Sequence, residues 1–173
     1  PVIAGAGSND TKKAVRFSLL AKDAGADALL HVTPYYNKPT PSGLVLHFKE
    51  IAKATNMPII IYNVPGRTGS NVSPQTIVRI AREVPAVVAV KEASGNITQM
   101  MDIINEVVKG GPKDFVVLSG DDALDLPIIA LGGKGCISVV CNEVPKLFSD
   151  MIHFALKGNL EEAKKLHYAL LDL

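Results

Sequence analysis

The stretch Val87-Val88-Ala89-Val90-Lys91-Glu92-Ala93-Ser94-Gly95-Asn96 passes from an apolar, mostly β-branched run to a lysine and then to small and polar residues. A short apolar run bounded by turn-forming residues is the pattern of a strand covered on both faces. Lys91 then emerges at the carboxyl end of that strand, where parallel βα architectures gather their functional side chains. A helical period follows at once, from Ile97 to Lys109.

The same alternation extends in both directions. Strands read as Val2 to Ala6, Ala28 to Thr33, Pro58 to Tyr62, Val87 to Lys91, Phe115 to Ser119 and Cys136 to Val140. Helical periodicity fills the gaps at Thr11 to Ala24, Pro41 to Thr55, Pro74 to Glu83, Ala123 to Leu131 and Pro145 to Leu156, with a last helix starting near Leu160. Ser73 before Pro74 predicts a capped helix start, and Gly25 and Gly158 fit the left-handed residue that ends a helix. Six βα units in one domain, residues 1–173, predict an α/β fold of the TIM (β/α)8-barrel type. A closed barrel needs eight units and about 250 residues. These six are therefore expected to be strands 3 to 8, with two N-terminal βα units and some C-terminal helix belonging to a longer polypeptide.

Charge excludes several function classes. The 173 residues carry 18 basic and 17 acidic side chains spread along the chain, a net charge of +1, so nothing marks a nucleic-acid or anionic-membrane surface. The longest apolar runs, such as Ile59-Ile60-Ile61, are strand-sized, and no signal peptide is read at Pro1, which makes a cytoplasmic protein the expectation. His31, His47, His153 and His167 are scattered without zinc-site spacing, so no metal is expected. Cys136 and Cys141, read within one strand, would point to opposite faces and form no disulfide.

The strand ends concentrate the chemistry. Lys91 ends a buried run, and burial disfavours an ammonium, leaving an amine able to attack a carbonyl as a Schiff-base nucleophile. A rim ion pair with Glu92 or Asp121 is the bland alternative. Tyr62 ends the neighbouring strand, one spacing of about 5 Å away, where its phenol is placed for proton transfer or simply for packing. Arg67, in the loop Asn63-Val64-Pro65-Gly66-Arg67-Thr68-Gly69, offers a planar fork for a carboxylate, or a surface charge. Tyr35 and Tyr36 form an aromatic pair in a proline-rich loop, suited to packing or to an oligomer contact. Gly5-Ala6-Gly7 is a weak dinucleotide signal, because Asp10 stands at the third glycine position. Gly132-Gly133-Lys134-Gly135 precedes a strand and reads as a turn rather than a phosphate cradle.

Taken together, Tyr62 to Gly69, Lys91 to Asn96, Ser119-Gly120-Asp121-Asp122 and Gly135-Cys136-Ile137-Ser138-Val139 resemble the dihydrodipicolinate synthases of the N-acetylneuraminate lyase superfamily along essentially the whole chain. The resemblance implies condensation of pyruvate with L-aspartate 4-semialdehyde to 4-hydroxy-tetrahydrodipicolinate, in the diaminopimelate route of lysine biosynthesis, with no cofactor. It implies Lys91 as the Schiff-base lysine, Tyr62 as proton donor or relay, and Tyr36 as the tyrosine that completes the relay from a neighbouring subunit. Arg67 matches the arginine that positions the semialdehyde carboxylate. Ile137 and Gly120 match residues lining the pyruvate pocket, and a homotetramer built from dimers is implied. Asn9 and Tyr35 match a lysine-binding regulatory site, but Lys13 stands where inhibited members place a glutamate, which implies insensitivity to lysine. The threonine pair that completes the relay in the family has no counterpart in this chain.

Lys91 and Tyr62 alone establish only pyruvate chemistry, since N-acetylneuraminate lyase and ketodeoxy-sugar aldolases share them. Arg67 favours the semialdehyde. A catalytically incompetent fragment or non-catalytic binding module is the reading from another class, the isolated chain being expected to be severely impaired unless another polypeptide supplies the missing units, and a reducible pyruvate adduct separates the readings.

Overall fold

The computed structural model describes residues 1–171. Five parallel strands lie in sequence order: β1 (Ile3–Gly5), β2 (Ala28–Val32), β3 (Ile59–Asn63), β4 (Val87–Glu92) and β5 (Val116–Ser119). Their crossovers are α1 (Thr11–Asp23), α2 (Pro41–Thr55), a short α3 (Pro65–Thr68) followed by α4 (Pro74–Glu83), and α5 (Ile97–Gly110). After β5 come α6 (Asp125–Ala130), α7 (Pro145–Leu156) and α8 (Leu160–Leu170).

The helix starts follow local chemistry. Asp10, Thr40, Ser73, Asn96 and Asn159 each accept a hydrogen bond from a backbone N–H in the first turn of the helix that follows. Gly25 and Gly158 adopt positive φ beyond the ends of α1 and α7.

Register decides which side chain meets which layer. Leu29, Ile59, Ile61 and Val117 turn to the helices and pack with Phe48, Ile51, Ile77, Ile80 and Ile103 in the main core. Each fully buried aliphatic there stabilises the fold by about 1.5–3 kcal/mol. Alternate residues face the other side of the sheet, where Val32 pairs with Tyr62, Tyr62 with Lys91 and Lys91 with Leu118. Between β3 and β4 the register jumps: Ile59 pairs with Val87 and Ile60 with Ala89, so Val88 has no partner. A smaller apolar cluster of Leu126, Ile129, Ala155 and Ala163 joins α6, α7 and α8.

The strand expected from Cys136 to Val140 is not formed as such. Its start lies parallel beside β5, with Lys134 N–H donating to Val117, Ser119 N–H to Gly135 and Ile137 N–H to Ser119, and with one bridge between Ser119 and Cys136. Beyond Ile137 the Asp122 carboxylate accepts from the N–H groups of Val139 and Val140 at 3.0 Å each. Those donors are turned into a loop and a 3-10 turn, Val140–Asn142. Cys136 and Cys141 are both free thiols, yet not for the reason of opposite faces, because Cys141 lies in that turn and its thiol reaches the Ser138 carbonyl. The helix expected from Ala123 likewise begins as a separate 3-10 turn, Asp122–Leu124, capped by Asp121.

Candidate active site

Lys91 is the penultimate residue of β4 and only 8% exposed. Its direct neighbour across the sheet is Tyr62, and the Lys91 Nζ lies 4.4 Å from the Tyr62 ring centroid. Ammonium over an aromatic face is attractive, and here it also parks the amine against the phenol-bearing ring. Burial pulls the Lys91 pKa below the ordinary lysine value; Asp122, Asp125 and Cys136 oppose that shift, and the Arg67 guanidinium adds to it.

The rim ion pair does not form. Lys91 takes part in no salt bridge among the described residues. Glu92, one residue on, turns to the opposite face and is fully buried. There its carboxylate accepts from Asn63 Nδ2 at 2.9 Å, from the Ser94 N–H at 2.9 Å and from Gln99 Nε2 at 3.3 Å. Asn71 joins Asn63 and Gln99 at 2.9 and 2.7 Å, and the side-chain Oδ1 of Asn63 accepts from the Val72 N–H. This amide and carboxylate cluster ties β3, β4, α5 and the loop before α4 together directly behind the Tyr62 and Lys91 pair. Burial raises the Glu92 pKa, and hydrogen bonds from Ser94, Asn63 and Gln99 hold it back.

Gly120 follows β5 and donates its N–H to the Glu92 carbonyl at 2.8 Å. A methyl at this position would lie 2.8 Å from both Lys91 Cε and Ala93 Cβ. The bare glycine is what lets the Lys91 side chain run past this turn. Ile137 is half-buried beside it; its N–H is donated to Ser119 at 2.9 Å, and no donor among the described residues reaches its carbonyl.

Arg67 sits exposed on α3, a four-residue helix where the sequence read only a loop, and Thr68 anchors that helix through its hydroxyl to the Val64 and Ser70 carbonyls. Lys91, Tyr62, Gly120, Ile137 and Arg67 therefore share one end of the sheet. Tyr36 is not brought to them. It is 89% exposed, at φ 70°, with its N–H reaching the Thr68 carbonyl. Tyr35 lies on the same exposed loop. Asn9 accepts from Asn37 Nδ2 through its carbonyl, and the Lys13 ammonium lies 5.5 Å from the Phe17 ring.

The sequence reading missed Glu92 and its amide partners, although the signal was present: in a strand, the neighbour of an inward Lys91 must face the helices. Asp125, an acidic residue inside an apolar helix period, is likewise fully buried. Among the described residues no group of three or more metal-ligating side chains lies together, and no helix is long and apolar enough to cross a membrane.

The dihydrodipicolinate synthetase family profile matches residues 1–173. The chain is 56% identical to the 4-hydroxy-tetrahydrodipicolinate synthase of Maridesulfovibrio salexigens over 173 residues, which is 100% of this chain and 58% of that protein. The solved dihydrodipicolinate synthase from Aquifex aeolicus superposes with a TM-score of 0.93 at 46% identity, covering 99% of this chain and 57% of that one. A structure described as a monomeric dihydrodipicolinate synthase variant superposes with a TM-score of 0.95 at 43% identity, with the same coverage of 99% and 57%. The chain thus spans less than three fifths of the length of the relatives it matches.

Proposed function

We propose that this chain, which belongs to the dihydrodipicolinate synthetase family, carries the Schiff-base half of a 4-hydroxy-tetrahydrodipicolinate synthase, with Lys91 as the amine that captures pyruvate. The observation that carries this reading is the placement of Lys91: buried at a strand end, free of any carboxylate partner among the described residues, and held against the Tyr62 ring at 4.4 Å.

The chemistry follows from that placement. Desolvation raises the fraction of neutral Lys91 amine, which adds to the pyruvate ketone and loses water to give an iminium. The iminium draws electrons as the pyruvate methyl releases a proton, and the resulting enamine attacks the aldehyde carbon of L-aspartate 4-semialdehyde. Tyr62, whose ring lies beside the nitrogen, moves the protons, and Tyr36 joins the relay from a second copy of the chain. Gly120 leaves room for the Lys91 stem and the Ile137 carbonyl faces the keto acid. Arg67 grips the semialdehyde carboxylate, which separates this reading from a sugar-acid aldolase. The protein acts as a cytoplasmic homo-oligomer, a tetramer built from dimers, in lysine biosynthesis.

The test is borohydride reduction in the presence of pyruvate, followed by intact-mass and peptide mapping. A pyruvate-derived secondary amine on the peptide containing Lys91 is expected. An unmodified Lys91 in folded protein refutes the reading and favours a binding module. The second substrate is checked with Arg67→Ala, which raises KM for the semialdehyde about 10- to 100-fold while leaving pyruvate trapping intact.

A further inference from the structure

The segment that carries Arg67 leaves β3 at Asn63 and enters α4 through its cap, Ser73. The guanidinium is exposed and meets no carboxylate among the described residues, so its place is set by the backbone of α3. A helix of four residues is too short to persist by itself. Within the segment, the Arg67 and Thr68 N–H groups donate to the Val64 carbonyl at 2.9 and 3.0 Å, and the Gly69 N–H donates to the Pro65 carbonyl at 2.9 Å. These bonds shape the turn but do not tie it to the strand that bears Lys91.

One side chain closes the segment. Asn63 Oδ1 accepts from the Val72 N–H at 3.2 Å, while Asn63 Nδ2 donates to Asn71 Oδ1 and to Glu92 Oε2, both at 2.9 Å. Entry and exit are thereby held side by side, and both are fastened to β4. Gln99 of α5 grips the exit a second time, accepting from Asn71 Nδ2 at 2.7 Å and donating back to Asn71 Oδ1 at 3.1 Å. The groups hydrogen-bonded to the Glu92 carboxylate, from Asn63, Ser94 and Gln99, are all donors, so this acceptor dictates which way round each amide is turned. Val72 anchors the exit in the main core by apolar contact, which has no direction; the hydrogen bonds supply one. A further tie, from the Tyr36 N–H to the Thr68 carbonyl at 3.3 Å, comes from an exposed loop.

We propose that the pair of Asn63 and Asn71 is a positioning clamp that acts through Arg67, fixing where the guanidinium stands relative to the Lys91 nitrogen and so the site's grip on the carboxylate of the second substrate. The inference rests on the reading of Lys91 as the Schiff-base amine and of Arg67 as the group that holds that carboxylate. Tyr62 pairs with Lys91 across the sheet, and the next pair in register is Asn63 with Glu92. Asn63 therefore lies on the face opposite Tyr62, away from the reacting atoms. One hydrogen-bonded unit thus spaces the amine that builds the enamine from the cation that holds the far end of the aldehyde. Opening the clamp weakens capture of the semialdehyde and spares capture of pyruvate, because Lys91 is held by β4 and the Gly120 turn.

The test compares wild type, Asn71→Ala, Arg67→Ala and the double variant in the full-length protein. Asn71 is exposed, so truncating it leaves no buried cavity and the fold is retained. Asn71→Ala is expected to raise KM for L-aspartate 4-semialdehyde about 10-fold, with borohydride trapping of pyruvate within about twofold of wild type. Added to Arg67→Ala, it should change KM by less than about twofold, since a clamp that acts through Arg67 then has nothing left to position. Hydrogen exchange at the Arg67, Thr68 and Gly69 amides should quicken about 10-fold in Asn71→Ala. An unchanged KM in Asn71→Ala, or an effect that multiplies in full with that of Arg67→Ala, overturns the inference. If wild type forms no pyruvate adduct, the Schiff-base reading falls and exchange alone judges the clamp: faster exchange in Asn71→Ala sustains it, and exchange equal to wild type overturns it.

Discussion

Replacing Gly120 with alanine is the sharpest probe of how Lys91 is held. The new methyl would lie 2.8 Å from Lys91 Cε, 3.0 Å from Lys91 Cγ and 2.8 Å from Ala93 Cβ. Carbon atoms settle at about 3.5–4.0 Å, so one partner must retreat by roughly 1 Å. Ala93 is pinned by its N–H to the Asn63 carbonyl and Gly120 by its N–H to the Glu92 carbonyl, both at 2.8 Å. The flexible lysine stem therefore moves. A displacement of about 1 Å at a reacting atom costs on the order of 100-fold in rate, which is about 2.7 kcal/mol of barrier. Overpacking costs the fold about 1–3 kcal/mol, less than the 5–15 kcal/mol by which a typical domain is stable. Gly120→Ala should thus stay folded by circular dichroism while its single-turnover rate of pyruvate trapping falls about 100-fold. A folded variant that traps pyruvate within twofold of wild type would show that Lys91 is not confined by this turn.

Glu92→Ala leaves the Ser94 N–H without a partner and opens a cavity behind the site. About 3 kcal/mol of stability and a fall of roughly 6–12 °C in Tm are expected by calorimetry, and an unchanged Tm would mean the cluster is ornamental. His31 and His47 are buried and held near pKa 4, mainly by desolvation. Because each binds its proton more weakly folded than unfolded, their stability is intact above about pH 6.5 and is lost as pH falls toward 4, by roughly 3 kcal/mol apiece. Urea denaturation at stepped pH should show this decline, and His47→Gln should flatten it. In the full-length protein, L-lysine at millimolar concentration should leave the condensation rate unchanged, since Lys13 offers a cation where an ammonium would need an acid; clear inhibition would contradict that reading.

The βα rhythm is legible because parallel strands buried on both faces are written as apolar runs. Ser73-Pro74 marks a helix start by its own chemistry, a hydroxyl that caps the first turn ahead of a residue with no N–H to leave unpaired. The segment after Gly135 departs from the expected strand for a specific reason. Ile137-Ser138-Val139-Val140 has strand composition, but the distant Asp122 carboxylate takes the N–H groups a ladder would use, and composition carries no information about such a competitor. In the site, Lys91 and Tyr62 announce themselves by position at strand ends. Asn63, Asn71, Glu92 and Gln99 do not, because their importance lies in hydrogen bonds between segments 7 to 29 residues apart. Asp125 is hidden in an ordinary helix period, and only its burial without partners sets it apart.

The unpaired Val88 gives β4 an unusual genetic property. Lys91 and Glu92 are adjacent, and whichever faces the inner side of the sheet becomes the neighbour of Tyr62 while the other is locked among amides. Losing one residue between Ala89 and Lys91 would exchange the two faces and present a carboxylate where the Lys91 amine now stands. Losing Val88 would instead straighten the strand and preserve every pairing beyond it, from Ile60 with Ala89 to Asn63 with Glu92. Loss of either valine of the Val87-Val88 pair gives the same chain, and among single-residue deletions in this strand it is the one that keeps Lys91 beside Tyr62.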